Sequence, residues 1–156
     1  MTAQTTTGAE PPPCYCLALR QATRSLTQFY DQALAPYGIR VTQYSILSAL
    51  KRSGPRSINE LAAELVMDRT TLGRNIRPLQ REGLLRISAH PDDGRSRALA
   101  VTARGLGVLA KARGAWQEAQ TRFEKSYGGT RAAALRRELQ AAAAMDLGGT
   151  VAAPAR

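Results

Sequence analysis

The sequence is short of aromatics, of metal ligands and of acids, and each shortage closes a class. Only eight of 156 residues are aromatic, five Tyr, two Phe and one Trp. A core must then be built mainly from Leu, Ala, Ile and Val, a composition that favours helices over a β-sandwich. Two cysteines, Cys14 and Cys16, and one histidine, His90, are too few for a four-coordinate zinc site in one chain or for a disulfide scaffold. No cofactor motif is present. No stretch approaches the ~20 consecutive apolar residues of a membrane span. Met1 to Pro13 is polar, without the basic start and apolar run of a signal peptide, so a soluble cytoplasmic protein is expected. Acids are the last shortage: 12 Asp and Glu face 22 Lys and Arg, a net charge of +10 at pH 7. Such an imbalance in one domain's length of chain points to a polyanionic partner.

Both ends are low in apolar periodicity. Residues 1–13 are Thr- and Pro-rich and residues 147–156 form a Gly/Ala/Pro tail, so both are expected to be disordered. Between Cys14 and Leu34, Leu19, Ala22, Leu26, Phe29 or Tyr30, and Ala33 recur at helical spacing, and Pro36 and Gly38 end the pattern. Thr42 is expected to cap a second helix, Gln43 to Leu50. Ser57-x-x-Glu60 has the form of a capping box opening a short helix through Leu65, and Asp68 caps the next, Thr70 to Glu82. Behind Gly83 the pattern turns strand-like at Leu84, Leu85 and Ile87. His90-Pro91-Asp92-Asp93-Gly94 is a turn, and Ala98 to Val101 returns as a second strand. Thr102 caps a long helix carrying Leu106, Leu109, Trp116, Phe123 and Tyr127, which Gly128-Gly129 breaks. An Ala-rich helix from Arg131 to Met145 follows. The expected fold is mainly α, a winged helix-turn-helix over residues 37–102 flanked by helices at 14–36 and 103–146.

Charge and phase locate a site. Between Arg69 and Arg97 seven Arg face three acids, a net +4 in 29 residues, although the later helices are basic too. At ~100° per residue, Leu72, Ile76 and Leu79 share one side of the Thr70 to Glu82 helix while Thr70, Arg74, Arg77 and Arg81 share the other. Lodged in a major groove, such a helix reads base edges with Thr70, Thr71, Arg74 and Asn75 near its front, and meets phosphates with Arg77 and Arg81. The alternative is a solvated basic face. Pro78 removes one backbone donor from the helix interior, so a local kink is expected. The turn puts Arg95 and Arg97 on a wing that can reach the electronegative minor groove, with Asp93 holding the arginine in place.

Three stretches then carry a resemblance: Leu34 to Leu50, Ile58 to Leu85, and DDGRSRALAVTARG at Asp92 to Gly105. The ordered chain resembles the MarR family of transcriptional regulators, whose wing reads Asp-x-Arg followed by a Leu-Thr-x-x-Gly helix start. Asp93, Arg95, Val101, Thr102 and Gly105 occupy those places, and Gly94 stands where many members have another Arg. The resemblance implies double-stranded DNA as partner and a homodimer whose terminal helices, here 14–36 and 103–146, interleave for dimerisation. Apolar Leu19, Leu26, Leu106, Leu109, Trp116 and Leu135, too many for helices that cover only a small wing domain, agree with that. It also implies a repressor released from a pseudo-palindrome by a small ligand, often aromatic, for which Tyr30, Tyr37, Tyr44, Arg20 and Arg24 are candidates. Hinge packing is the alternative role for those side chains.

The first helix is also similar to that of the family's organic-hydroperoxide-sensing branch, whose reactive cysteine matches Cys16 and one of whose supporting tyrosines matches Tyr30. Arg20 and Val41 stand where those sensors carry further tyrosines. A thiol in the first turn of a helix sees the positive dipole end, and Arg20 one turn later adds a cation, both favouring thiolate. Cys14 and Cys16 sit too close in sequence for an easy internal disulfide on a helix. An intersubunit bridge, a metal site shared across a dimer and two packed thiols stay open. With one His, no phosphate loop and no paired carboxylates, no enzyme is expected; the nearest enzymatic alternative is a thiol peroxidase using Cys16. A basic RNA-binding protein is the third class, and it leaves the wing and the helix phase unexplained.

Overall fold

The computed structural model describes residues 13–89 and 97–146. Its order is α1 (Tyr15–Leu34), a 3-10 turn (Ala35–Tyr37), α2 (Val41–Ser53), β1 (Arg56–Ser57), α3 (Ile58–Glu64), α4 (Arg69–Arg81), β2 (Leu85–Ala89), β3 (Arg97–Val101), α5 (Ala103–Tyr127) and α6 (Gly129–Ala143). That is the mainly helical winged helix-turn-helix the sequence predicts. No described helix is long and apolar enough to cross a membrane.

The core lies where α2, α3 and α4 meet β2 and the end of α1. Leu34, Ile46, Leu47, Leu50, Leu61, Leu72, Leu79 and Leu85 are fully buried, and no polar side chain is buried among the described residues. Each such side chain contributes about 1.5–3 kcal/mol by leaving water. The terminal helices are different. Of the 20 residues of α1 only Leu34 is buried, and α6 buries only Ala132, while Tyr15, Leu17, Leu19, Leu106 and Leu139 stay exposed.

Local signals set most helix starts. Ser57 accepts from the Glu60 N–H at 3.3 Å and the Glu60 carboxylate accepts from the Ser57 N–H at 2.8 Å, completing the expected capping box. The second helix departs from expectation: it begins at Val41, not Gln43, and runs on to Ser53, so Thr42 lies in its first turn rather than at its cap. The reason is tertiary. The Val41 N–H donates to Asp31 Oδ1 on α1 at 2.7 Å, and the Arg40 N–H donates to Gln43 Oε1 at 2.9 Å, satisfying the free donors of a start two residues earlier. The last helix also starts two residues early and ends at Ala143 rather than Met145. Gly128, at φ 92°, breaks α5, yet its carbonyl accepts the Ala132 N–H at 2.8 Å and the next helix restarts at once.

The sheet has order β1–β3–β2, all antiparallel. The hairpin pairs Leu85 with Val101, Ile87 with Leu99 and Ala89 with Arg97, and β1 adds Arg56 opposite Leu99 and Ser57 opposite Ala98. Two residues carry no readable alternation, which is why β1 is absent from the sequence reading. The hairpin is fastened to α5 by Thr102, whose N–H donates to the Leu84 carbonyl at 3.1 Å and whose hydroxyl donates to the Gly83 carbonyl at 2.7 Å. The same hydroxyl accepts from the Gly105 N–H at 3.0 Å. Helix and strand come so close that a Cβ on Gly105 would lie 2.1 Å from the Leu84 carbonyl oxygen.

Candidate nucleic-acid interface

Helix α4 is amphipathic in the phase predicted. Leu72, Ile76 and Leu79 are buried, and Thr70, Arg74, Arg77 and Arg81 are exposed on the opposite side. Asp68 opens it: Oδ1 accepts from the Thr71 N–H at 2.8 Å and Oδ2 from the Thr71 hydroxyl at 2.6 Å. These bonds, the hydroxyl's first, hold the Asp68 carboxyl below the ordinary carboxylate range. The Thr71 hydroxyl proton is therefore engaged at the cap, leaving only its lone pairs for a partner. Asn75 is half-buried, and its amide donates to the Thr71 carbonyl at 2.9 Å. Thr70 and Arg74 are the two front-turn candidates that stand clear on the exposed side. The helix runs through Pro78 as one element, and the missing proline N–H leaves the Arg74 carbonyl without its usual intrahelical donor.

In the hairpin, Arg97 is exposed at the start of β3 and Arg86 is exposed on β2. Arg86 was not singled out from the sequence, and its alternation within β2 is the signal that marks it as outward-facing. Asp93 and Arg95 lie outside the described residues.

The sensing candidates do not converge on one pocket. Cys14 and Cys16 are exposed free thiols; Cys14 caps α1, its Sγ accepting the Leu17 N–H at 3.4 Å. Arg20 and Arg24 are exposed on α1. The Tyr30 hydroxyl donates to Gln120 Oε1 on α5, and burial, then the nearby Glu124 carboxylate, raises its pKa above the usual phenol value. Tyr44 stacks on Trp116, centroids 5.7 Å apart at 12°, and burial raises its pKa as well, against opposing effects of Arg113 and Ser48. Tyr37 packs against the core from the 3-10 turn. Among the described residues no group of His, Cys, Asp and Glu is arranged to hold a metal ion.

Two cavities matter. An open one of about 810 Å³ lies between the α1–α2 junction and α4, lined by Asp31, Arg40, Gln43, Arg74, Asn75 and Pro78 among others. A more apolar one of about 310 Å³ lies between α1, α5 and α6, with Leu26, Tyr30, Phe123, Leu135 and Leu139 on its walls and Glu124 and Arg136 at its edge. Of the tyrosines, only Tyr30 lines either. Asp31, Arg40 and Gln120 were not anticipated, because each acts on a residue brought to it by folding rather than by spacing.

Residues 37–96 match the model of the MarR family. The transcriptional regulator MosR of M. tuberculosis, solved in complex with DNA, is 35 % identical and superposes with a TM-score of 0.75 over 84 % of this chain and 94 % of that one. The transcriptional repressor CouR, bound to a 23-mer DNA duplex, is 25 % identical, with a TM-score of 0.75 over 83 % and 92 %. A cysteine-to-serine variant of MarR from E. coli, complexed with operator DNA, is 18 % identical with a TM-score of 0.73 over 81 % and 91 %, a likeness of fold alone. No curated protein gives a significant match.

Proposed function

This chain belongs to the MarR family, and from that premise we propose that it is a dimeric cytoplasmic repressor that reads a pseudo-palindromic operator and leaves it when a small aromatic ligand binds. The family is one of transcriptional regulators rather than enzymes. One observation carries the DNA reading: α4 buries Leu72, Ile76 and Leu79 and turns Thr70, Arg74, Arg77 and Arg81 outward behind a capped start. With a net charge of +10, phosphate contact adds a strong dependence on salt. Arg77, Arg81, Arg86, Arg95 and Arg97 are assigned to the backbone and minor groove, Thr70 and Arg74 to base edges, with Thr71 and Asn75 supporting them. Asp93 positions the wing arginine. Dimerisation by the terminal helices is supported by the apolar surface that α1, α5 and α6 leave uncovered.

The larger cavity supports the ligand reading. Its wall joins the α1–α2 junction to the proposed DNA-facing helix, and Arg40 and Arg74 line it opposite the carboxylates of Asp31 and Glu82. An aromatic carboxylate held there by Arg74 withdraws that side chain from a base. The test is an anisotropy titration on a duplex selected by the protein from a random pool, against an unselected duplex over a range of salt. Equal affinity for both duplexes refutes sequence-specific recognition. Aromatic acids and organic hydroperoxide, added side by side to the selected complex, separate the two release mechanisms.

A second reading rests on the thiols. Cys14 and Cys16 are exposed free thiols at the N-terminal end of α1, within reach of an oxidant from solvent. Cys16 attack on a hydroperoxide yields sulfenic acid and the alcohol. Under this reading Cys16→Ser binds DNA normally but stays bound under hydroperoxide. Release like that of the wild type excludes it.

A further inference from the structure

The turn between α3 and α4 carries a side chain that the fold does not use. Val66 is the only non-glycine with a positive φ among the described residues, at 51°. Its N–H donates to the Ala63 carbonyl at 3.2 Å, and that of Met67 donates to the Ala62 carbonyl at 2.9 Å. These paired bonds close a helix through one left-handed residue, a place where glycine is usual and a β-branched side chain is strained. The apolar contact that accompanies such a turn is provided by Met67, packed against the core, and buried Ala62. Val66 itself is 72 % exposed and outside that core. Its isopropyl group thus adds strain and wetted apolar surface and contributes little to packing.

Its place in the chain gives the side chain a use. Two residues on, Asp68 caps α4, and the exposed Thr70 and Arg74 follow within the next turns. We propose that Val66 is an apolar DNA contact beside the reading face of α4, its methyls against hydrocarbon of the duplex, either a thymine methyl or a deoxyribose edge. This rests on the DNA-binding reading above and extends that interface to the turn ahead of the helix. Strain in the free protein and contact in the complex make opposite demands on this one residue.

Val66→Gly separates the two demands. Relief of the left-handed strain is expected to raise Tm by about 2–4 °C at fixed protomer concentration, because glycine adopts this conformation freely. Loss of the isopropyl is expected to weaken binding to the selected duplex by about five- to tenfold. A residue with only a structural role moves stability and affinity in the same direction. A duplex with deoxyuridine in place of every thymine identifies the surface touched. If it is the thymine methyl, the deficit of Val66→Gly against the wild type disappears on that duplex. If it is deoxyribose, the variant is the weaker binder on both duplexes by the same factor. Unchanged affinity of Val66→Gly, or a lowered Tm, overturns the proposal. Failure of the wild type to prefer any duplex overturns the DNA-binding reading instead.

Discussion

Replacing Gly105 by alanine adds one methyl at the tightest point between the hairpin and α5. An ideal Cβ there lies 2.1 Å from the Leu84 carbonyl oxygen and 2.8 Å from Val101 Cγ2. Both neighbours are held, the carbonyl by the Thr102 N–H at 3.1 Å and Val101 by its pairing with Leu85. Neither can yield by rotating a flexible side chain. Overpacking a fixed site costs about 1–3 kcal/mol, and displacing the Leu84 carbonyl forfeits a hydrogen bond of ~1 kcal/mol. Against this stands the better helix propensity of alanine, ~1 kcal/mol. The net expectation is a loss of about 1–3 kcal/mol, equivalent to a Tm lower by roughly 2–12 °C for a chain of this length. Gly107→Ala is the control, because a Cβ there meets nothing within 4 Å and the propensity gain stands alone, up to about 1 kcal/mol of added stability. Circular-dichroism melts of both variants, at one protein concentration because the proposed dimerisation would be linked to unfolding, should move in opposite directions. A neutral or stabilised Gly105→Ala refutes the steric account of this joint.

Arg74→Ala is expected to cost about 1–3 kcal/mol on the selected duplex and much less on an unselected one, whereas Arg77→Ala should weaken both alike; anisotropy titrations distinguish the two, and equal losses for Arg74→Ala make it a phosphate contact. The Asp68 cap gives a pH dependence of known sign. Its folded pKa is depressed, so its contribution is present above the ordinary aspartate range and disappears as pH falls through the folded value. Asp68→Asn keeps a capping oxygen for the Thr71 N–H and should flatten the decline of Tm with acid; identical acid slopes in variant and wild type contradict the assignment. For the Tyr44–Trp116 stack, Tyr44→Ala should destabilise by about 2–4 kcal/mol and Tyr44→Phe by less than about 1. Urea unfolding that finds the two variants equal removes the ring contact from the account.

What could be read from sequence was what is encoded within one turn. The Ser57–Glu60 box, the Asp68 and Thr102 caps, and the burial phase of Leu72, Ile76 and Leu79 all depend on neighbours three or four residues apart, and all were legible. The start of α2 was not, because its donor is satisfied by Asp31, ten residues upstream on another helix. Tyr30 was singled out, but its partner Gln120 lies 90 residues away and no spacing reveals it. Thr71 and Asn75 were assigned to base edges by their side-chain type and their place near the front of α4. Neither says that the helix's own cap and backbone already engage them. Val66 was invisible for a related reason: hydrophobicity marks a residue as apolar, while its backbone conformation is set by how α3 ends.

The fastening of α5 to the hairpin has a mechanical consequence. A helix of 25 residues spans about 37 Å at 1.5 Å per residue, with Thr102 and Gly105 clamped to the wing end and Tyr127 far out in the terminal-helix region. At the other side of the sheet, β1 pairs with β3 and passes into α3 without an intervening residue, and α3 shares the core with α4 through Leu61 and Leu72. A tilt of 5° imposed at the far end of this lever moves the clamped end by about 3 Å, close to the 3.4 Å that separates successive base pairs. Under the proposed DNA reading, a rearrangement of a few degrees among the terminal helices is thus large enough to shift α4 and the wing by about one base step.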